Sequence, residues 1–145
     1  MNTIENKQAV LIFEDDIQLA LDWKREFIKY GFDVEHAWDV DNAISLCNQK
    51  KFDVIICDVF IKDNSGKLKN EAGVTLISRL RYEMNGGPTW GKTVPILVVT
   101  GATPNFGFDV LKLIRTMGTN LTMRKPFSPS NLVERIQEII AAKKS

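Results

Sequence analysis

Three runs of consecutive apolar residues constrain the fold of this chain more than any other feature. They cover residues 9–13, 54–57 and 94–99, and each is continuous rather than alternating. Strands that are buried on both faces of a parallel sheet have this pattern, because neither face meets water. Residues 32–37 alternate between apolar and polar, which predicts a strand nearer an edge, and residues 121–123 form a fifth short stretch.

Between these strands, apolar residues recur at three- and four-residue spacing, as they do on one face of a helix. Helix stops are predicted at Gly31 and Gly118, and helix starts at Asp39 and at Ser128-Pro129. Five alternating β-α units predict an α/β fold with a doubly wound five-stranded parallel sheet. The expected helical stripes are Ile17, Ala20, Leu21, Phe27 and Ile28; Val40, Ala43, Ile44 and Cys47; Val74, Ile77, Leu80 and Met84; Val110, Leu113, Ile114 and Met117; and Leu132, Val133, Ile136, Ile139 and Ile140.

The bulk properties fit one globular domain and exclude several classes of protein. With 145 residues, 44% of them hydrophobic, the chain is expected to form a single domain at 8–143 behind a tail at 1–7, with no output domain. A net charge of +1 gives no positive surface for direct nucleic-acid binding. Because no signal-peptide pattern and no run of about 18 apolar residues is present, we expect no membrane insertion and a cytoplasmic location.

Polar residues stand where the predicted strands end. Asp58 closes the run 54–57, Glu14 and Asp15 follow the first run, Thr100 follows the third, and Lys125 comes shortly after residues 121–123. The carboxyl ends of neighbouring parallel strands meet at one edge of the sheet, where open α/β sheets bind their ligands. We therefore expect these side chains to share one crevice.

Such a crevice would concentrate negative charge. Two carboxylates about 4 Å apart repel each other by about 4 kcal/mol at an effective dielectric of about 20. A protein keeps a cluster such as Glu14, Asp15 and Asp58 by protonating one member or by binding a cation, and hard oxygen ligands suit Mg²⁺. The cation would neutralise an incoming phosphoryl group and leave one carboxylate as nucleophile. Lys125 would add a point charge for a phosphate oxygen, and Thr100 a hydroxyl donor.

Each of these residues also has an ordinary structural interpretation. The acids at 14–16 could cap the following helix, because acids favour a helix N-terminus. Asp58 could be a loop-start acid, Thr100 an ordinary strand-end threonine and Lys125 a solvated lysine. Their joint occurrence at the ends of successive strands favours the functional interpretation.

Other reactive residue types carry no functional prediction. His36 is the only histidine and is expected to be neither a metal ligand nor a base. Cys47 and Cys57 lack CxxC spacing, so we expect both to be reduced packing residues.

Four segments together resemble the receiver domain of the two-component response regulators. Residues 11–16 are similar to the acidic strand end of that family, and residues 54–58 to its phosphoacceptor strand. Residues 98–101 are similar to its switch-hydroxyl strand and residues 124–127 to its Lys-Pro motif. The match covers nearly the whole chain in the right order. It implies a (βα)5 flavodoxin-like receiver fold and a stand-alone receiver of the chemotaxis type.

By this resemblance, Asp58 accepts a phosphoryl group from a histidine kinase, a phosphotransfer protein or a small donor such as acetyl phosphate. The reaction would need Mg²⁺, with Asp58 and Asp15 as direct ligands and Glu14 acting mainly through water. The backbone carbonyl of Phe60 would complete the protein ligands. All four residues are carried over from the family pattern.

The resemblance also implies a switch. Thr100 would move toward the attached phosphoryl group, Lys125 would bridge to it, and the peptide bond before Pro126 would be cis. Many receivers have an aromatic residue three positions before the lysine, where rotation of the ring couples phosphorylation to partner binding. This chain has Thr122 there, so it departs from the family pattern in the aromatic part of the switch.

Two polar segments, 62–70 and 85–93, are expected to be loops and are longer than is usual for the family. The first follows the phosphorylation site, where Lys62 and its neighbours either steer an anionic donor or remain solvated. Trp90, in the second, is either an anchor for a partner or a lid that folds onto the domain.

The predicted function is a stand-alone receiver that switches its binding to a protein partner when Asp58 is phosphorylated. The alternative is a phosphorylation-independent adaptor with a receiver fold, which Thr122 and the long loops favour and the intact acidic cluster opposes. A phosphatase-type enzyme would need a second acid two residues after the nucleophile, where this chain has Phe60. We therefore expect a phosphoacceptor domain that promotes only its own phosphorylation and dephosphorylation.

Overall fold

The computed structural model of the chain describes residues 7–59, 61–62, 68–69, 71–101, 111–119 and 121–144. Strands and helices alternate along these residues, as the sequence predicts. The strands are β1 (Ala9–Phe13), β2 (Asp33–Ala37), β3 (Val54–Asp58), β4 (Ile61–Lys62), β5 (Leu68–Lys69), β6 (Ile96–Thr100) and β7 (Leu121–Arg124). The helices are α1 (Ile17–Lys29), α2 (Val40–Gln49), α3 (Glu71–Arg81), α4 (111–115) and α5 (Pro129–Lys144), with a 3-10 helix at Thr89–Lys92.

Five strands form one parallel sheet in the order β2-β1-β3-β6-β7. The strand order reverses at β1, which pairs with both β2 and β3, and such a switch point leaves a crevice beyond the carboxyl ends of the strands. The doubly wound five-stranded sheet is therefore confirmed, and β2 lies at an edge as predicted. β4 and β5 form a separate antiparallel pair.

Helices cover both faces of the sheet. Side chains of α2, α3 and α4 pack on one face, and those of α1 and α5 pack on the other. All residues of β1, β3 and β6 are buried, which explains why their sequences are continuously apolar. Cys47 and Cys57 are free thiols in the core on the face covered by α2, α3 and α4. Burial raises the pKa of Cys47 to about 12.

The predicted helix ends are confirmed. Asp39 accepts a hydrogen bond from the backbone N–H three residues ahead at 2.7 Å, and Ser128 does the same at 3.1 Å. Gly31 and Gly118 have φ angles of 85° and 83°, the left-handed conformation that ends many helices.

β6 begins at Ile96, two residues later than the apolar run at 94–99 suggests. Pro95 has no N–H and cannot donate to the ladder of the sheet. Its carbonyl nevertheless accepts a hydrogen bond from the Ile55 N–H at 3.0 Å, so the chain joins β3 just before the strand starts.

The apolar face predicted for α1 is partly wrong. Ile17, Leu21 and Ile28 are 64%, 38% and 54% exposed, whereas the helix buries Ala20, Trp23 and Phe27. Both sets have helical spacing, so periodicity alone does not separate them. The face with the two aromatic rings turns inward, because those rings remove the larger apolar area from water.

The apolar stripe predicted for α3 wrongly includes Met84 as its last member. The helix ends at Arg81, and Met84 is 46% exposed. Glu83 and Asn85 have φ angles of 52° and 47°, which no helix can continue through. The segment then turns back to the 3-10 helix.

Trp90 folds onto the domain rather than extending from it. Its ring lies 6.2 Å from that of Phe52, and it packs against the core beneath α2 and α3. The guanidinium of Arg81 holds this arrangement, because it donates to the Gly91 carbonyl at 2.7 Å and to the Met117 carbonyl at 2.6 Å. Trp90 thus folds onto the domain, as one of its two interpretations predicts.

No helix in the described part of the chain is long and apolar enough to cross a bilayer.

Candidate functional site

The sheet brings the predicted site residues to one edge. Glu14 follows β1, Asp58 ends β3, Thr100 ends β6 and Lys125 follows β7. The strands are parallel and Asp58 pairs in register with Val99, so these residues occupy neighbouring positions at the carboxyl ends. Four separate strand ends therefore contribute to one crevice.

Three carboxylates form the centre of the site. Glu14, Asp15 and Asp58 each offer one oxygen, and these three atoms lie within 4.8 Å of one another. Glu14 and Asp58 are buried and Asp15 is half-buried. A set of carboxylate oxygens with one side open to water is the donor chemistry that Mg²⁺ prefers. The residues present therefore fit a magnesium ion.

Lys125 places one positive charge inside this cluster. Its Nζ lies 2.6 Å from Glu14 Oε1 and 3.0 Å from Asp58 Oδ2, and its side chain is 24% exposed. When all four groups are ionised, three carboxylates and one ammonium leave two negative charges, which a divalent cation balances. The charge of the site and its donor atoms thus indicate the same kind of ion.

The electrostatics of the cluster are visible in two pKa shifts. Burial raises the pKa of Glu14 above its usual 4.5, and the neighbouring Asp58 raises it further, although Lys125 opposes both effects. Burial lowers the pKa of Lys125, but the carboxylates of Asp58 and Glu14 outweigh it, so its pKa is raised above 10.5. The lysine is therefore charged at neutral pH.

Backbone contacts fix the two ends of the cluster. The Lys125 N–H donates to the Thr100 carbonyl at 2.8 Å, and the Lys125–Pro126 peptide bond is cis, as the resemblance implies. On the other side, His36 Nε2 lies 2.6 Å from the Glu14 carbonyl; because a carbonyl only accepts, this nitrogen carries the proton. His36 thus positions the backbone of the acidic segment.

The capping interpretation of the acidic segment applies to one residue in it. Asp16 Oδ1 accepts from the Leu19 N–H at 3.0 Å and caps α1, whereas Glu14 and Asp15 point their carboxylates into the cluster. Glu14 Oε2 also accepts from the Asp16 N–H at 3.3 Å. Of the three adjacent acids, Asp16 therefore caps the helix, and Glu14 and Asp15 form part of the site.

Two residues near the site were missed by sequence reasoning. A Cβ on Gly73 would lie 2.8 Å from Val59 Cα and 3.1 Å from the Asp58 carbonyl oxygen, so α3 approaches the end of β3 more closely than any larger residue permits. The available signal was a glycine inside a helical pattern, where it weakens the helix relative to alanine and can have a packing reason. The second residue, Trp23, is buried beneath Lys125 and carries no motif.

Several predictions fall on other positions. Thr122, which replaces the aromatic switch residue of many receivers, is half-buried on β7 and pairs with Val98. Phe60 and the side chains of 61–70 lie outside the described residues, as do residues 102–110. The role of the Phe60 carbonyl and of Lys62 thus stays a prediction.

Comparison with known proteins agrees with this geometry. The model of the response regulator receiver domain family matches residues 10–137. The crystal structure of the chemotaxis protein CheY4 of Vibrio cholerae is similar with a TM-score of 0.74 at 24% identity, over 92% of this chain and 98% of that chain, which shows the fold. A putative response regulator from Chloroflexus aurantiacus is similar with a TM-score of 0.71 at 28% identity, over 94% of this chain and 99% of that chain.

Two curated relatives match most of this chain but extend well beyond it. The uncharacterized transcriptional regulatory protein YclJ of Bacillus subtilis is 27% identical over 90% of this chain and 50% of its own length. The probable transcriptional regulator ycf29 of Cyanophora paradoxa is 28% identical over 90% of this chain and 55% of its own length. The chain thus spans about half the length of these relatives.

Proposed function

The chain belongs to the response regulator receiver domain family, and from that membership we propose that it accepts a phosphoryl group on Asp58 and thereby changes its binding to a protein partner. The contact that supports this proposal best is the position of Lys125, whose amine lies between Glu14 and Asp58. A lysine that served only stability would gain little by being buried among carboxylates at a sheet edge, because desolvation opposes the ion pairs.

Asp58 is the proposed nucleophile. One of its carboxylate oxygens attacks the phosphorus of an acyl phosphate or a phosphohistidine, and the bond from phosphorus to the leaving group breaks. The products are an aspartyl phosphate and either acetate or the free imidazole of the donor. Glu14, Asp15 and Asp58 would hold Mg²⁺ together with the Phe60 carbonyl, and the bound ion would supply positive charge for the phosphoryl oxygens.

Lys125 and Thr100 are proposed to respond to the phosphoryl group. Charge-assisted hydrogen bonds contribute about 1.5–3 kcal/mol each. Lys125 already pairs with Asp58 at 3.0 Å before phosphorylation, so only the new Thr100 contact would count in full, and Lys125 would add only the gain from the extra negative charge. A shift of a two-state population from 1:99 to 99:1 requires about 5.5 kcal/mol. The two residues would therefore supply part of such a switch without an aromatic residue at Thr122.

The donor and the partner follow from the same proposal. We propose a histidine kinase or a phosphotransfer protein as the donor and a second protein as the target of the phosphorylated state. That residues 8–143 act as a stand-alone receiver and that they act in the cytoplasm stay predictions.

A phosphorylation-independent adaptor is the competing proposal, favoured by Thr122 in place of an aromatic switch residue. The buried cluster argues against it. A site that no longer used phosphate would retain three neighbouring acids and the raised pKa of Glu14, which cost stability, without any function to offset that cost.

Mg²⁺-dependent labelling by acetyl phosphate tests the proposal. We expect wild type to take up one phosphoryl group, Asp58→Asn to take up none, and chelation of the metal to abolish the reaction. Asp16→Asn is the matched control, because asparagine also caps helices and Asp16 lies outside the cluster. Equal labelling of Asp58→Asn and wild type would refute Asp58 as acceptor, and an unlabelled wild type would favour the adaptor.

A further inference from the structure

The proposed role of Lys125 requires that its flexible side chain keep the amine in one place. A lysine has four rotatable carbons before its amine, and its ammonium is a compact point charge with no preferred orientation. Here the amine must reach Glu14 at 2.6 Å and Asp58 at 3.0 Å together. A third contact at the amine would restrict its position further than the two carboxylates alone.

Trp23 provides a surface for this restriction. It lies on α1, is only 1% exposed, and its ring centroid is 5.9 Å from Lys125 Nζ. A lysine amine within about 6 Å of an aromatic centroid is attracted by the electron-rich face of the ring, and tryptophan gives the strongest such contact. The neighbours of the amine thus include two carboxylates and an indole face.

A second contact fixes the indole itself. The ring of Phe127 stacks on that of Trp23, with centroids 5.5 Å apart and planes inclined by 20°. Phe127 follows Lys125 by two residues, so both partners of the Trp23 ring belong to the same short segment after β7. Trp23 thus connects α1 to the segment that carries the lysine.

At a purely apolar position, tryptophan costs free energy because it buries a polar N–H. Trp23 Nε1 has no hydrogen-bond partner among the described residues, although buried indoles normally find one. Leucine or phenylalanine would fill an apolar site on α1 without burying an N–H. A favourable contact of the ring face with a cation offsets this cost, and Lys125 is the cation that lies there.

We propose that Trp23 is a positioning residue for the phosphoryl-transfer site, because its indole face holds the Lys125 amine between Glu14 and Asp58. The inference rests on the proposed function of Asp58. It adds a residue of α1 to a site that is otherwise built from strand ends.

The first test is the rate of labelling by acetyl phosphate with Mg²⁺. A cation-aromatic contact of about 0.5–1 kcal/mol corresponds to about a two- to fivefold change in rate, so Trp23→Leu should slow labelling by that factor. Trp23→Phe keeps an aromatic face and should stay within about twofold of wild type. Tyr82→Leu, which removes an aromatic ring that is 59% exposed, is the control and should leave the rate unaltered. Labelling of Trp23→Leu at the wild-type rate would overturn the proposal.

The second test separates positioning from packing and does not depend on labelling. The urea midpoint is measured for wild type, Trp23→Leu, Lys125→Met and the double variant. If the indole holds the lysine, Trp23→Leu lowers the midpoint less when Lys125 is absent. Equal shifts in both backgrounds mean that Trp23 acts only as packing, and the proposal falls. If wild type takes up no phosphoryl group, the proposed function of Asp58 fails, while this cycle still decides whether Trp23 and Lys125 interact.

Discussion

Replacing Gly73 by alanine adds one methyl group at the point where α3 meets the end of β3. The new Cβ would lie 2.8 Å from Val59 Cα and 3.1 Å from the Asp58 carbonyl oxygen. Both neighbours are backbone atoms, so neither can rotate away. The helix and the strand must separate, and the segment that moves carries Asp58.

The size of the effect follows from these distances. Carbon atoms in contact prefer about 3.5–4.0 Å, so the separation must increase by about 0.7 Å or more. Overpacking of this kind costs about 1–3 kcal/mol, and the better helix propensity of alanine returns about 1 kcal/mol. The net loss of stability is thus only about 0–2 kcal/mol. The loss of rate is larger, because a displacement of about 1 Å in a reacting group can cost about a hundredfold.

We therefore expect Gly73→Ala to slow phosphorylation by acetyl phosphate about tenfold or more while remaining folded. Initial rates of labelling and a urea titration measure the two effects on the same protein. Gly101→Ala is the matched control, because its Cβ would meet the nearest Lys125 carbon at an ordinary 3.7 Å, and its rate should stay within about twofold of wild type. Labelling of Gly73→Ala at the wild-type rate would refute the argument that this close approach positions Asp58.

Three further predictions concern stability. Because the folded state raises the pKa of Glu14 above 4.5, its stabilising share is present below that pH and is lost as pH rises through the raised pKa. In Mg²⁺-free buffer, urea titrations should therefore show Glu14→Gln gaining stability relative to wild type as the pH rises above 4.5. A difference that does not change with pH would contradict this. Asp16→Ala should lower the free energy of unfolding by about 1 kcal/mol with labelling intact, since Asp16 only caps α1; lost labelling would place Asp16 in the site. Arg81→Met should cost about 2 kcal/mol by thermal or urea unfolding, because the guanidinium holds two loop carbonyls; a loss below about 0.5 kcal/mol would show that the lid does not depend on it.

Most of the fold could be predicted from local sequence. Continuous apolar runs identify β1, β3 and β6 because strands buried on both faces leave no room for alternation. The grouping of Glu14, Asp58, Thr100 and Lys125 also follows, since parallel strands end at one edge. These features depend on periodicity and topology alone.

What escaped prediction depends on packing between distant segments. The face that α1 buries carries its two aromatic rings, and Trp23 stacks there on Phe127, a contact across about a hundred residues of sequence that no spacing rule contains. The close approach of Gly73 to Val59 is of the same kind. The lid at Trp90 depends on Arg81 reaching carbonyls on two other segments. Each of these is a three-dimensional fit rather than a local preference.

The most direct test is to locate the phosphoryl group on the chain itself. After incubation with acetyl phosphate and Mg²⁺, proteolysis and mass spectrometry should find one phosphoryl group, on the peptide that contains Asp58, and hydroxylamine should remove it as it removes acyl phosphates. The peptide that carries Glu14, Asp15 and Asp16 should remain unmodified. A hydroxylamine-resistant group, a group on another peptide, or no modification at all would contradict Asp58 as the phosphoacceptor.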